Sequence, residues 1–441
     1  MSPFLRVINR SAARTLRGCP GAHARAGHQQ PFGLAVLLVA RGAALTANRM
    51  LLVVLPAMVL AVTGSVVQTG LITLCQVLPW VVMQVLSGPL LDRVAPQRIG
   101  ACGDLLSATV MVVLAVTGLP PLWLLAVLMA AVGAADGPAT AAKTVLLRPV
   151  AEDTGIALIR ATGWTTAVER SAGLGPYLGG LAYTRCGLTV TLLLVATLFA
   201  LGSLASATIS TPVRHEPATG TYRQQFATGV RFLHADRSLA ALMIMFAVTN
   251  MLDRALFGGL LPVWASRGGH DTETTGLAIS AFAGTAAVTA ALMGWRGDRL
   301  DSHRRGIYLA GMSIAGVSRF AVIALNAPPT LVLIVWAVAG LGSGAGNPVI
   351  EAIQCDRIPE HLQGRIRTQI IAGAWTGIPF GGLAAAALLT LGLPAALWLC
   401  ATAYLAAVAY PGWRVTWHTT PTTRSRPAPV PATSIVAGES A

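Results

Sequence analysis

Between Leu34 and Trp417 the sequence is cut into twelve apolar runs, each close to the length a helix needs to cross a lipid bilayer. A hydrocarbon core about 30 Å thick is spanned by about 20 residues of helix. The runs cover 34 to 62, 67 to 90, 99 to 118, 121 to 143, 156 to 182, 188 to 210, 239 to 265, 274 to 294, 306 to 326, 330 to 352, 367 to 391 and 394 to 416. Glycine and proline inside them are compatible with membrane helices, where small residues let backbones approach closely. The expected fold class is all-α and integral to the membrane, with twelve transmembrane helices. Composition agrees: 54% of the 441 residues are hydrophobic, 11% are charged and mean hydropathy is +0.66, too apolar for a soluble domain.

The formal charge of +14 does not point to nucleic acid, because the arginines collect in short links and build no basic face. Their distribution sets an orientation instead. Links after the even-numbered runs, with their flanks, hold Arg93 and Arg98, then Lys143, Arg148 and Arg160, then Arg214, Arg223, Arg231 and Arg237. Arg296, Arg299, Arg304, Arg305, Arg357, Arg365 and Arg367 continue the series, whereas links after odd-numbered runs hold only Arg185 and Arg267. Positive charge stays on the cytoplasmic side, so both termini are expected there.

Residues 1–33 carry Arg6, Arg10, Arg14, Arg17 and Arg25, no acid and no small-residue cleavage pattern, which reads as a disordered cytoplasmic arm rather than a signal peptide. Over 211–238, Phe226, Val230 and Leu233 share one helical stripe with Arg223, Arg231 and Arg237 off it. That is the pattern of an amphipathic helix at the cytoplasmic interface, here joining halves at 34–210 and 239–416. The Thr- and Pro-rich tail over 417–441 has no apolar period and reads as disordered. The six cysteines are scattered without a CxxC pair, so neither a disulfide framework nor a metal site is expected, and no cofactor is called for.

The two halves echo each other. Asn48-Arg49 with Pro56 beyond matches Asp253-Arg254 with Pro262 beyond, and Gly88 with Asp92 matches Gly294 with Asp298. Pro138 and Pro149 match Pro348 and Pro359, and GPYLGG at Gly175 to Gly180 matches GIPFGG at Gly377 to Gly382. Matches in the same order in equivalent runs point to duplication. Twelve runs in two halves, with a GxLxDR link after the second and a damaged copy after the eighth, resemble the major facilitator superfamily from about 34 to 416. A proline-bearing fourth run leading to Pro149, Glu152, Asp153 and Gly155 is similar to the enterobactin-exporter and macrolide-efflux branch.

The resemblance assigns expectations to residues. Gly88, Asp92, Arg93 and Arg98, echoed by Gly294, Asp298 and Arg299, would form a cytoplasmic gating latch. Gly88 would let helices approach, and Asp92 would accept hydrogen bonds from a helix N-terminus or an arginine. Ala95 and Pro96 depart from the family pattern, as do Arg296 and Asp301 in the second copy, so Asp92 should matter more than Asp298. Gly175, Pro176, Gly179 and Gly180 resemble the GPxxGG signature of antiporting exporters, although Ser171 stands where an upstream glycine is expected. Physically, Pro176 removes an intrahelical bond and the glycines permit tight packing, with ordinary glycine packing as the plain alternative.

Charges at membrane depth cost about 2.5 to 3.5 kcal/mol each at a helix centre and usually face a cavity and a partner. They are Arg41, Arg49, Asp136, Glu169, Arg170, Asp253, Arg254, Arg319 and Glu351. In the superfamily, helices 1, 4, 7 and 10 line the central path, which implies that Arg49, Asp136, Asp253, Arg254, Asn347 and Glu351 look inward. Asp253 is the first candidate for a protonatable group; its alternative is a permanent ion pair with Arg49 or Arg254. Asp136 and Glu351 lie nearer the cytoplasmic ends, where wet structural roles are expected, and Glu169 is placed to pair with Arg170 or an arginine on another helix. Run 4 lacks the arginine that many drug/proton antiporters carry, so proton coupling comes from the branch alone. Trp80, Trp123, Trp264, Trp336, Trp375 and Trp398 mostly suit interfacial belts or packing, and Trp80 or Trp375 has a further option, stacking on a flat substrate.

The expected function is export of a small amphiphilic molecule, a drug, antibiotic or siderophore, across the inner membrane of a bacterium. The partners are the lipid bilayer, the cargo and protons, and the transporter is expected to act as a monomer. No GxxxxGK[ST] loop is present to use ATP directly. An importer or uniporter on the same fold is the alternative. A membrane-embedded enzyme or sensor fits less well, since neither clustered histidines nor paired carboxylates occur at a membrane face.

Overall fold

The computed structural model describes residues 32–210, 231, 233, 235–296, 303–358 and 363–415. The basic arm, the linker stripe at Phe226 and Val230, the second-copy residues Asp298 and Arg299, and the tail beyond 415 lie outside the described residues. Among the described residues the regular structure is helical throughout. In the first half the spans are α1 (Gly33–Thr63), α2 (Val66–Val85), α3 (Pro96–Thr117), α4 (Leu122–Val145), α5 (158–186) and α6 (188–208). In the second they are α7 (Arg237–Gly268), α8 (Thr272–Arg296), α9 (Arg304–Ala324), α10 (Pro329–Arg357), α11 (363–389) and α12 (Leu393–Arg414).

By length and apolarity alone the described residues hold 11 continuous spans, because Arg160–Thr208 runs on for 49 residues. Gly187, with φ 79° and ψ 175°, breaks that rod into α5 and α6 and restores twelve. A left-handed φ is open to glycine without a steric penalty, so one residue replaces a loop. Other ends have similarly local causes. Gly64 closes α1 in the left-handed conformation with its N–H on Leu60. Asp236 caps α7, its Oδ1 accepting from Ser238 N at 2.8 Å and Leu239 N at 3.2 Å.

Each half has its own apolar core. In the first, α1 packs on the α5–α6 pair, α2 on α4, and α3 on both α4 and α6, around Met50, Leu55, Ile72, Met111, Met129 and Phe199. In the second, α8 packs on α10, α9 on α10 and α12, and α7 on α11 and α12, around Leu256, Tyr308, Phe320, Trp336 and Cys400. Tyr308 donates its hydroxyl to the Val408 carbonyl at 2.9 Å, meeting the need of a buried phenol. The halves meet along two seams, α5 with α8 and α2 with α11. The helix ends divide into an arginine-rich face, where α1 and α7 begin, and an arginine-poor face, where they finish.

Candidate functional site

A cavity of about 410 Å³ lies between the halves, with walls from α1, α2, α4, α7 and α11. It takes Asn48, Arg49 and Leu52 from α1, Gln76, Val77 and Trp80 from α2, and Gly133, Asp136 and Thr140 from α4. The second half supplies Asn250, Asp253, Arg254, Phe257, Trp375 and Ile378. Four charges expected to look inward, Arg49, Asp136, Asp253 and Arg254, thus share one space. A second cavity of about 350 Å³ sits toward the arginine-poor face among α1, α5, α7 and α8, with Tyr183 and His270 in its wall. Phe257 lines both cavities. It belongs to a π-helical turn over Leu256–Leu260, a widening of the helix that often occurs at functional sites.

Asn347 and Glu351 do not line that cavity. The Asn347 amide donates to Ser343 in its own helix, to the carbonyl and to Oγ at 3.0 Å each, and Glu351 is exposed. Packing explains this. Gly340 and Gly344 press α10 onto Phe282, Thr285 and Ala286 of α8, while Gly342 and Gly346 press it onto Gly311 and Met312 of α9. With its small residues committed inside the half, α10 leaves the wall to Trp375 and Ile378 of α11.

The partner of Asp253 is neither Arg49 nor Arg254. Arg319 of α9 reaches it at 2.7 Å, with no exposed surface of its own. The guanidinium lies 4.4 Å from the Phe282 ring centre and within 6 Å of those of Phe257 and Trp336. Aromatic faces attract a cation and exclude water, so the Asp253–Arg319 pair stands in an apolar box that opens at the aspartate. Asp136 is 5% exposed and lines the cavity, contrary to a wet role near a helix end. It accepts a hydrogen bond from Asn48 Nδ2 at 3.1 Å. Glu169 pairs with Arg41 of α1 rather than with its neighbour Arg170.

One ion pair is not signalled by any motif. Asp104 of α3 and Lys143 of α4 meet at 2.6 Å, both buried. Composition carries a trace of it: an acid inside an apolar run and the single lysine of the chain. Trp80 and Trp375 serve packing. They stack on each other, with ring centres 5.0 Å apart and planes at 29°, across the α2–α11 seam at the edge of the cavity.

The glycine motifs make the seams. A Cβ on Gly175 would stand 3.0 Å from the Thr46 carbonyl and against Arg49 Cβ, and one on Gly179 would stand 2.9 Å from Met50, so these two seat α5 on α1. Gly180 faces Thr272 of α8, and the Pro176 carbonyl faces Gly276 of the same helix. The second copy repeats the arrangement. Gly377 and Gly381 seat α11 on α7 at Ala247, Met251 and Arg254, and a Cβ on Gly382 would stand only 2.7 Å from Gly70 Cα of α2. Both prolines fall where α5 and α11 restart around a short 3-10 turn, at Ala172–Leu174 and Ile378–Phe380, as a missing N–H requires. Tyr177 N donates to Ser280 Oγ at 3.0 Å, Glu273 N to Thr184 Oγ1 at 3.3 Å, and Arg185 pairs with Glu273 at 3.4 Å. On the arginine-poor face α5 and α8 are therefore held together.

In the gating motif, Gly88–Arg93 forms a short helix of its own, and Arg93 and Arg98 are exposed on the arginine-rich face. A Cβ on Gly88 would meet nothing within 4 Å, so the glycine serves no close approach here. The Asp92 side chain and those at Gly294, Asp298 and Arg299 lie outside what is described.

Relatives give this architecture a context. The chain is 27% identical over 351 residues to the multidrug efflux pump Tap of Mycobacterium tuberculosis (strain ATCC 25618 / H37Rv), covering 76% of this chain and 81% of that protein. It is 27% identical over 367 residues to the multidrug efflux pump Tap of Mycolicibacterium fortuitum, covering 78% and 87%. In fold it is similar to the nucleoside transporter NupG, with a TM-score of 0.63 at 14% identity over 86% of this chain and 96% of that one. A bacterial homologue of the iron transporter ferroportin in an inward-facing state superposes with a TM-score of 0.62 at 14% identity, over 86% and 97%. The family model described as Major Facilitator Superfamily matches residues 37–269 and again 243–438. Taken with the duplicated twelve-helix bundle and its central cavity, that match places the chain in the Major Facilitator Superfamily of membrane transporters.

Proposed function

We propose that this transporter is a bacterial inner-membrane exporter that takes a small amphiphilic molecule from the cytoplasm and releases it outside by rocking its two halves about the central cavity, driven by inward proton flow. The carrying observation is that cavity, in which Arg49 and Asp136 from one half face Asp253 and Arg254 from the other. A charged midplane site between duplicated halves is the design of alternating access. Two relatives at 27% identity are named as multidrug efflux pumps, which favours export of drug-like cargo. The arginine-rich face is cytoplasmic by the positive-inside rule, so the α5–α8 contacts at Thr184, Arg185 and Glu273 lie toward the outer face and loading of the cavity is assigned to the cytoplasmic side.

Asp253 is the proton-exchanging group in this reading, and Asp92 latches the cytoplasmic face. A proton on Asp253 would cancel the charge that holds Arg319 and loosen α7 from α9 where the π-helical turn begins. A single polypeptide holds the whole path, so the working unit is the monomer. The test is ethidium uptake by inverted vesicles with and without an imposed pH gradient. Uptake that collapses with the gradient in the native protein, and is absent in Asp253→Asn with normal expression, is expected. Uptake indifferent to the gradient refutes proton antiport, and gradient-driven uptake in the opposite sense refutes export.

A further inference from the structure

We propose that the central cavity contains an anion subsite, formed by Arg49 and Arg254, that selects cargo bearing a carboxylate or similar anionic group on a flat apolar body. The inference rests on the cavity being the cargo site and adds what the cargo carries. The other cations placed deep in the bundle have their acids: Arg41 has Glu169, Lys143 has Asp104, and Arg319 has Asp253. Arg49 and Arg254 make no hydrogen bond or ion pair with any described residue, although both line the cavity. The acids whose fields reach them, Glu169 for Arg49 and Asp253 for Arg254, are already bonded to Arg41 and Arg319. The two guanidiniums also act on each other, cation against cation.

Their placement is built rather than incidental. Arg49 and Arg254 are repeat-equivalent residues of α1 and α7, and each is backed by the glycine motif of its own half, Gly175 against Arg49 Cβ and Gly381 against Arg254 Cβ. Asp136, the remaining cavity carboxylate, accepts from the neutral amide of Asn48 and so offsets part of the positive charge of the two arginines. Arg49 is exposed and Arg254 half-buried, both lining the cavity, and with Asp136 in the same wall the cavity keeps an excess of positive charge that a ligand carrying a negative group can meet. A guanidinium offers a planar fork of donors matched to carboxylate, sulfonate or phosphate oxygens. Beside them, the stacked indoles of Trp80 and Trp375 give a flat apolar wall. Because the arginines belong to opposite halves, one bound anion ties the halves together and links occupancy to their movement.

The test is equilibrium binding of tritiated 1-naphthoate to the full chain in lipid nanodiscs, with 1-naphthamide as the neutral competitor of the same shape. The expected result is saturable binding with Kd of about 1 mM or tighter. Naphthamide should compete about ten-fold or more weakly, and Arg49→Gln and Arg254→Gln should each weaken naphthoate binding about ten-fold or more, the scale of a charge-assisted hydrogen bond. Each variant removes a like-charge repulsion, so folding should survive, and either one alone suffices. No saturable naphthoate binding, equal competition by naphthamide, or undiminished binding in a folded variant overturns the subsite. Ethidium, a cation, keeps the two readings apart. Gradient-driven ethidium export without naphthoate binding leaves the exporter and removes the subsite, whereas selective naphthoate binding without export does the reverse.

Discussion

Asp253 shows how far a single charged residue in a membrane run can be read. Its position in an apolar stretch is enough to mark it as functional, but its partner is on α9, 66 positions away in sequence. Nothing in the spacing selects Arg319 over Arg49 or Arg254; only the aromatic box of Phe257, Phe282 and Trp336 does so. Removing one member strands the other in a dry site, so Asp253→Ala should lower stability by about 3–5 kcal/mol, measured by thermal unfolding in detergent. Asp253→Asn with Arg319→Gln should regain most of that stability while remaining unable to couple export to a proton gradient. Asp104 and Lys143 make the same point without a role in the cavity. Lys143→Met alone should cost about 3–5 kcal/mol, and Asp104→Leu with Lys143→Met should fold as well as the native chain.

Glycine motifs are legible as elements because their chemistry is local, whereas what they pack against is not. GPYLGG and GIPFGG announce two helices that bend and approach neighbours closely, and α5 and α11 do both. That α11 rather than α10 lines the cavity depends on which small residues of α10 are used up against α8 and α9, a matter of three-dimensional pairing. The α2–α11 seam closes on Gly70 and Gly382 with no room for a side chain, so Gly382→Val should hold it apart. Thiol labelling from outside at a cysteine replacing Thr73, 6% exposed here, should rise several-fold as export falls. Gly88→Ala is the contrasting case. A methyl there meets nothing, and its effect on stability should stay within about 0.5 kcal/mol with export unchanged, so a large loss would restore the close-packing role that the motif implies.

At the scale of the whole molecule, duplication is the most legible property, because twelve bilayer-length runs and ordered repeats leave few architectures open. The same duplication explains part of the site: Arg49 and Arg254 are paired positions, and each is backed by a glycine of its own half's motif, Gly175 and Gly381, although these two glycines stand at different places in the motif. The difference between the halves is equally informative, since among the described residues only the second adds the π-helical turn and the buried arginine under its aspartate. Transport by alternating access requires the α5–α8 and α2–α11 seams to open and close around that shared cavity. The most direct measurement places cysteines at Thr184 and Glu273, whose Oγ1 and backbone N lie 3.3 Å apart across the α5–α8 seam, in a chain otherwise free of cysteine. Bridging them with a short reducible thiol reagent should abolish ethidium export in inverted vesicles, and reduction should restore it. Export that continues at the native rate while the bridge is intact would contradict alternating access through this seam.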